Sequence, residues 1–327
     1  YRSQNIIHEA LKGFKLDYSA FDVSSGETVC SANGRTSLYQ KLRNPKFWTV
    51  TADAADEVCK LVYYNRGLKR MAMSHLRRMK PSRSFWKNFY KTVCFTGGDI
   101  GFQCFSAMCK KYLFRFVLGS RCETVPKNNT ARRTINVEAW LNILLQRCIS
   151  SSFRKVLKEY FKIELTGNDD MKYKPDYYFG QDKHQEMIKN PLYATVDFRN
   201  ASNSTALTTC SFMFPPRVFK LLRISRSEFV YTKHDDTYHY LNMLSAMGNG
   251  YTFEVMTLLL AALAQGLDKT ARVYGDDVII KNRHAKQFIE LAEFCGYHVN
   301  AEKTFVDSLF RESCGAFYHD DHGYIQS

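Results

Sequence analysis

The sequence predicts an α+β fold in which a largely helical N-terminal region precedes an antiparallel sheet of the split βαβ, ferredoxin-like kind. Three observations carry this expectation. The chain has 327 residues, 45% of them hydrophobic and 24% charged, enough for a sizeable interior and too apolar for wholesale disorder. Residues 1 to 126 are helix-prone and locally basic. From 193 to 300 the patterns run strand, helix, hairpin, helix, strand, an order that brings two strand ends together at the centre of one sheet.

Taken in order, the stretch from Lys69 to Lys87 holds Lys69, Arg70, Arg77, Arg78, Lys80, Arg83 and Lys87 without an acidic residue, and Phe85, Trp86, Phe89 and Tyr90 lie at its end. Cations interleaved with rings suit a single-stranded nucleic-acid channel, in which charges track phosphates and rings stack on bases. A solvated helix face above core aromatics fits the same pattern. Next, Lys127, Arg132 and Arg133 surround a turn signal, an arrangement able to cradle a triphosphate. Helical spacing extends from Val137 to Phe161, and a polar stretch from Thr166 to Asp182 reads as a loop.

The β-prone run from Tyr193 to Phe198 carries Asp197 near its end and leads into a Ser/Thr/Asn-rich turn. Residues 245 to 250 form a flexible turn feeding a helix from about Tyr251 to Leu267, whose apolar positions keep the 3.6 period. Two β-prone arms, Ala271 to Tyr274 and Val278 to Ile280, flank Gly275-Asp276-Asp277, which suits a tight turn. A helix from about His284 to Cys295 stops at Gly296, and a strand from Tyr297 to Asn300 follows.

The net charge of +14 favours a polyanionic partner, nucleic acid before an anionic membrane surface. The longest apolar run, Val255 to Ala264, is about half a membrane span, so no membrane association is expected. Ten cysteines without a Cys-x-x-Cys pair read as reduced thiols, and the Cys295/His298 and Cys314/His319/His322 groups lack a second ligand pair at zinc spacing. The N-terminus has neither an initiator Met nor a targeting pattern, which predicts a cytoplasmic fragment.

In the predicted sheet Asp197 falls beside Asp276 and Asp277. Three convergent carboxylates repel one another unless cations neutralise them, and hard oxygen ligands suit one or two Mg²⁺ ions, with Mn²⁺ able to substitute. Such a pair of ions supports in-line phosphoryl displacement. Taken alone, Gly-Asp-Asp reads as an ordinary hairpin turn.

The joint pattern goes further. Ala194-Thr195-Val196-Asp197 with Ala201-Ser202, then Ser245-x-Met247-Gly248-Asn249-Gly250-Tyr251-Thr252-Phe253-Glu254, then Val273-Tyr274-Gly275-Asp276-Asp277, then Phe310-Arg311-Glu312-Ser313-Cys314-Gly315, resemble polymerase motifs A, B, C and E of the levivirus replicases. These are the RNA-directed RNA polymerases of small positive-strand RNA bacteriophages. Val125-Pro126-Lys127-Asn128-Asn129 resembles their motif F, and the resemblance covers about residues 120 to 319. It implies a right-hand polymerase with fingers over 1–190, including motif F around 125–135, and a palm over 191–327, with the thumb largely absent.

Carried over residue by residue, the resemblance implies that Asp197, Asp276 and Asp277 hold the catalytic Mg²⁺ ions. Lys127 and Arg133 would contact the incoming ribonucleoside triphosphate, and Lys303 is either the acid that protonates pyrophosphate or an exposed surface lysine. Ser245, Gly248 and Asn249 would lie along the nascent base pair. Arg311 is either a contact to the primer-strand backbone or half of an internal salt bridge, and the basic stretch itself, rather than the resemblance, points to Arg77, Arg78 and Arg83 as RNA contacts. Template and nascent RNA are the implied partners, with host elongation factors Tu and Ts and a ribosomal protein, in the cytoplasm of an infected bacterium. Two departures stand out: Asn203 occupies a position where the family usually has Asp for ribose recognition, and few residues follow Gly315. A reverse transcriptase and a non-catalytic RNA-binding protein are the alternatives.

Overall fold

The computed structural model describes residues 1–21, 26–30, 37–79, 82–96, 98–126, 132–165 and 180–325. Local chemistry sets its first helices: α1 (Arg2–Ala10), α2 (Leu38–Arg43), α3 (Ala55–Tyr64), α4 (Arg66–Arg77), α5 (Arg83–Tyr90) and α6 (Gly98–Met108). Ser37 and Gln40 form a reciprocal capping box on α2. The side chains of Asn65 and Ser82 accept the Leu68 and Phe85 amides at 3.0 and 3.2 Å and so start α4 and α5. On α4, Leu68, Ala72, Met73, His75 and Leu76 are buried, which leaves Arg77 in water on the opposite side.

Two short strands, β1 (Thr49–Val50) and β2 (Arg115–Phe116), pair in parallel within this helical region. The hairpin of β3 (Ser120–Pro126) and β4 (Arg132–Val137) then leads into α7 (Trp140–Glu159). Sequence periodicity placed the start of this helix at Val137, but Val137 is the last residue of β4, paired with Arg121. The apolar spacing of α7 serves burial: Leu141, Leu144, Leu145, Cys148 and Phe153 have no exposed surface.

A helix, α8 (Gly180–Met187), begins inside the stretch expected to be a loop up to Asp182. It precedes β5 (Tyr193–Val196) and β6 (Phe198–Arg199), which are interrupted at Asp197. After α9 (Leu207–Met213) and α10 (Pro216–Ser225), the hairpin β7 (Phe229–Thr232) and β8 (Thr237–Tyr240) joins β3 to give a four-stranded sheet in the order β4-β3-β7-β8. Then come α11 (Thr252–Leu267), β9 (Arg272–Tyr274), β10 (Asp277–Lys281), α12 (Asn282–Phe294) and β11 (His298–Val299). A final meander of β12 (Phe310–Ser313), β13 (Ala316–His319) and β14 (Gly323–Ile325) closes the described chain.

The fold class is α+β, as predicted. Strand β10 pairs antiparallel with both β5 and β9, and β6 pairs antiparallel with β11. Hence the strand that carries Asp197 changes neighbour at that residue. Helix α11 lies at the centre, buried from Val255 to Ala264, and one apolar core runs from Ile7 through α3, α7 and α11 to Tyr297.

Candidate active site

Asp197 sits where the ladder changes partner. Its own carbonyl accepts the Asn300 amide at 2.9 Å, its N–H donates to Thr304 Oγ1 at 3.2 Å, and its carboxylate accepts Asn300 Nδ2 at 2.8 Å. The backbone is thereby tied on both sides and the side chain is held by one neutral donor.

Asp276 and Asp277 are delivered by a two-residue turn, since Tyr274 and Asp277 face each other in register. Gly275 takes a φ of +67°, and a Cβ there would stand 2.4 Å from the Phe253 ring, so both backbone and packing require glycine. The Gly275 amide also donates to Thr257 Oγ1 at 3.1 Å, which fixes the turn against α11. Asp277 therefore begins β10 rather than sitting on the tip, which Gly275 and Asp276 form.

These carboxylates interact. Burial pushes the Asp277 carboxyl up to about 7, and the negative charges of Asp276 and Asp197 push in the same direction. Among the described residues no three His, Cys, Asp or Glu side chains are grouped closely enough to enclose a metal ion by themselves. A carboxyl whose pKa is raised by burial and by like charges fits a Mg²⁺ site, because such an ion supplies the missing positive charge, keeps waters and takes substrate oxygens as further ligands.

Asp197 and Asp276 line a cleft of about 1350 Å³. Six cations share its wall: Arg132, Arg133, Arg147, Arg154, Arg199 and Lys303. Of these, Arg133 is exposed, with its guanidinium 4.0 Å from Met247 Sδ. Lys303 bonds Glu312 at 3.2 Å, which raises its pKa above the ordinary lysine value. That is opposite to the lowering an acid catalyst needs, so the ammonium serves better as a fixed charge. Lys127 lies outside the described residues.

The segment before α11 forms another part of the wall. Gly248 has a φ of +107°, and a Cβ there would meet the Asn136 carbonyl at 2.2 Å. Next to it, the Asn136 amide donates to the Met247 carbonyl at 2.7 Å, fastening β4 to this segment. Asn249 is buried, accepts the Tyr251 amide at 3.0 Å, and leaves its Nδ2 without a partner among the described residues. Ser245 is buried with its hydroxyl likewise unpartnered, but it does not line the cleft. Asn203 does, exposed on the short 3₁₀ turn Ala201–Ser204.

The basic side chains expected to touch RNA divide. Arg77, Arg78 and Arg83 are exposed on or beside α4 and α5, away from the cleft wall, and Arg77 stacks 4.8 Å from the Tyr90 ring centroid. Arg311 is not available to RNA. It is 1% exposed, donates to the Ile188 and Ser308 carbonyls at 2.6 and 2.7 Å, and is ion-paired with Asp320. Buried and with these donors taken by protein acceptors, the guanidinium is half of an internal salt bridge.

Sequence reasoning passed over Arg147 and Arg154. They stand seven residues apart on α7, two helical turns, and so share the face toward the cleft. Arg154 bonds the buried Glu254 at 2.7 Å, and Arg147 the Gly250 carbonyl at 3.4 Å. The heptad spacing was the available signal.

A family model described as RNA replicase, beta-chain, matches residues 86–324. The RNA-directed RNA polymerase subunit beta of Enterobacteria phage SP is 33% identical over 207 residues, 60% of this chain and 33% of that protein. The subunit beta of Qbeta virus (strain MX1) is 34% identical over 206 residues, 61% of this chain and 33% of that one. The RNA-directed RNA polymerase beta chain of Escherichia phage MS2 is 32% identical over 216 residues, 64% and 37% of the two chains. The chain thus spans about a third of the length of the curated relatives it matches.

Proposed function

The chain belongs to the RNA replicase beta-chain family, and from that premise we propose that its cleft catalyses RNA-directed RNA synthesis, the transfer of a ribonucleoside monophosphate to an RNA 3′-hydroxyl with release of pyrophosphate. The observation that carries the reading is the coupling of Asp277 to Asp276 and Asp197, the latter two lining a cleft that six cations share with one further carboxylate, Glu254, which is paired with Arg154. The strand neighbours β11-β6 and β5-β10-β9 support a ferredoxin-like palm over 191–327, and the preceding helices support fingers over 1–190.

In this proposal Asp197, Asp276 and Asp277 hold two Mg²⁺ ions. When bound, these supply charge that activates the attacking hydroxyl and stabilises the leaving oxygen. Arg133, with Arg132 beside it, clamps the triphosphate, since planar guanidinium groups bind phosphate oxygens bidentately. Lys303 adds a point charge near the departing pyrophosphate. Asn203 and Asn249 present neutral donors and acceptors to the ribose. Gly248 admits the close backbone approach, and Arg77, Arg78 and Arg83 bind RNA outside the cleft. We place this activity in the cytoplasm of an infected bacterium, with template RNA and the host subunits implied by a beta-chain name as partners. Among the described residues no helix is long and apolar enough to cross a membrane.

A non-catalytic RNA-binding role is disfavoured, because a mutually repelling acidic group beside the cleft serves no purpose in binding a polyanion. The test is Asp276→Asn and Asp277→Asn in the polymerase. Nucleotide addition should fall by orders of magnitude while RNA affinity stays within about twofold. Addition near the parent rate by either variant refutes the assignment, and preferential use of deoxyribonucleotides by the parent would instead mark a reverse transcriptase.

A further inference from the structure

The C-terminal ends of α4 and α5 meet at a surface without acids. From Arg66 to Gly98 the sequence holds no Asp or Glu, and Arg70, Arg77, Arg78, Arg83, Lys87 and Lys91 are exposed. The rings of this stretch do not share one fate. Phe89 is 3% exposed, and Trp86 and Tyr90 pack partly against the core, whereas Phe95 is 78% exposed.

The backbone explains where Phe95 stands. Helix α5 runs on into a π-helical turn, Lys91–Thr96. In a regular α-helix a residue five positions on lies about 140° around the axis, on another face. The i→i+5 bonds of a π turn bring residues five apart onto one side, and such turns are frequent at functional sites. Phe95 accordingly lies beside Tyr90, with ring centroids 6.5 Å apart. The Tyr90 ring also holds the Arg77 guanidinium, 4.8 Å from its centroid, and Lys87 shares the Tyr90 face one helical turn earlier. None of these side chains lines the catalytic cleft.

We propose that this face is a platform for single-stranded RNA outside the cleft, on which Phe95 stacks an unpaired base while Arg77 and Lys87 hold the adjoining phosphates. The partner that covers Phe95 must offer an apolar face and negative charge together. An apolar protein segment would desolvate the surrounding cations without pairing them, whereas a nucleotide supplies a base for the ring and a phosphate for the cations. Strand state follows from the same geometry: bases in a duplex stack on one another, and only unpaired bases can be splayed onto an aromatic ring. The proposal deepens, and rests on, the reading of Arg77, Arg78 and Arg83 as RNA contacts.

The test follows a labelled oligouridylate and a short RNA duplex by fluorescence anisotropy, comparing the polymerase with its Phe95→Ala, Phe95→Leu, Phe95→Tyr and Phe95→Trp variants. An exposed ring can be replaced without disturbing the core. Alanine and leucine remove the stacking face and should weaken single-strand binding about fivefold or more, while duplex binding stays within about twofold. Their log-log salt slope should match the parent's, since no phosphate contact goes with the ring. Tyrosine and tryptophan keep a ring and should bind the single strand within about twofold of the parent. The indole added by Phe95→Trp should be quenched by the oligouridylate and not by the duplex. Parent-like single-strand affinity in Phe95→Ala, with affinity lost on neutralising Arg77, Arg78 and Arg83, overturns the platform, leaves the basic surface standing and assigns Phe95 to a protein contact. Equal weakening on single strand and duplex, a shallower salt slope in Phe95→Ala, or an unquenched indole also overturns it. RNA affinity unchanged by neutralising the three arginines removes the RNA reading of this face itself.

Discussion

Glu138, just beyond β4, offers a quantitative test of the buried polar network behind the cleft. It is 3% exposed, and its carboxylate accepts Ser227 Oγ at 2.5 Å, with Arg226 and Tyr251 close by. Burial raises its pKa from 4.5 to about 7 despite the help of Ser227, Gln146 and Arg226. The sign follows from linkage. Below about pH 4.5 the group is protonated in both folded and unfolded chains, so nothing is lost. As the pH rises toward 7 the unfolded chain ionises and the folded chain resists, and stability falls until both are ionised. At 1.36 kcal/mol per pH unit the loss is about 3 kcal/mol. Glu138→Gln removes the titration but adds an amide donor whose partner must be found, at about 1 kcal/mol. The variant should be less stable than the parent by about 1 kcal/mol at pH 4.5 and more stable by about 2 kcal/mol at pH 8, the curves crossing at about pH 5 to 6. Urea unfolding at a series of pH values, read as the difference between the two proteins so that other titrating groups cancel, gives the comparison. Parallel curves would refute the reasoning, because they would mean that Glu138 ionises in the folded chain at its ordinary pKa.

Arg311→Ala should lower the melting temperature by roughly 6 °C or more, because it leaves Asp320 and two carbonyls without their donor; a loss of RNA affinity with unchanged melting would restore it as an RNA contact. Neutralising Arg77, Arg78 and Arg83 together should weaken RNA binding regardless of sequence and reduce the log-log salt slope by about 0.7 for each phosphate contact removed. An unchanged slope places RNA elsewhere. Asn203→Asp should increase the preference for ribonucleotides over deoxyribonucleotides about tenfold in relative kcat/KM, since an ionised acceptor strengthens the bond from a ribose 2′-hydroxyl; equal selectivity in single-nucleotide incorporation removes Asn203 from the sugar pocket.

What the sequence disclosed depended on how local the determinant was. The turn at Gly275-Asp276 was legible because glycine's freedom and the β-prone arms sit in one short window, and α11 because its apolar period is unbroken. Arg311 was not, because the carbonyl that consumes one of its donors belongs to Ile188, 123 residues away. Likewise the direction of the Lys303 shift depends on Glu312, which only the folding of β12 brings alongside. The sheet β4-β3-β7-β8 went unread for the same reason: its parallel β3–β7 pairing joins segments more than 100 residues apart, and no periodicity within either strand names its neighbour.

The change of strand partner at Asp197 also bears on how the protein folds. Before that residue the chain needs β10, and after it β11, so the acidic group exists only once both distant segments have docked. Loop-closure entropy makes pairings of such long range slower to form than the local helices, so they are expected to come after them. The mutual repulsion of the carboxylates is therefore felt by the native state and hardly at all by the barrier leading to it, so it hastens unfolding more than it slows folding. A chain with either partner strand undocked retains its basic surface and still attracts RNA, but it has no assembled acidic group, which makes completion of the sheet a precondition for chemistry and not for binding.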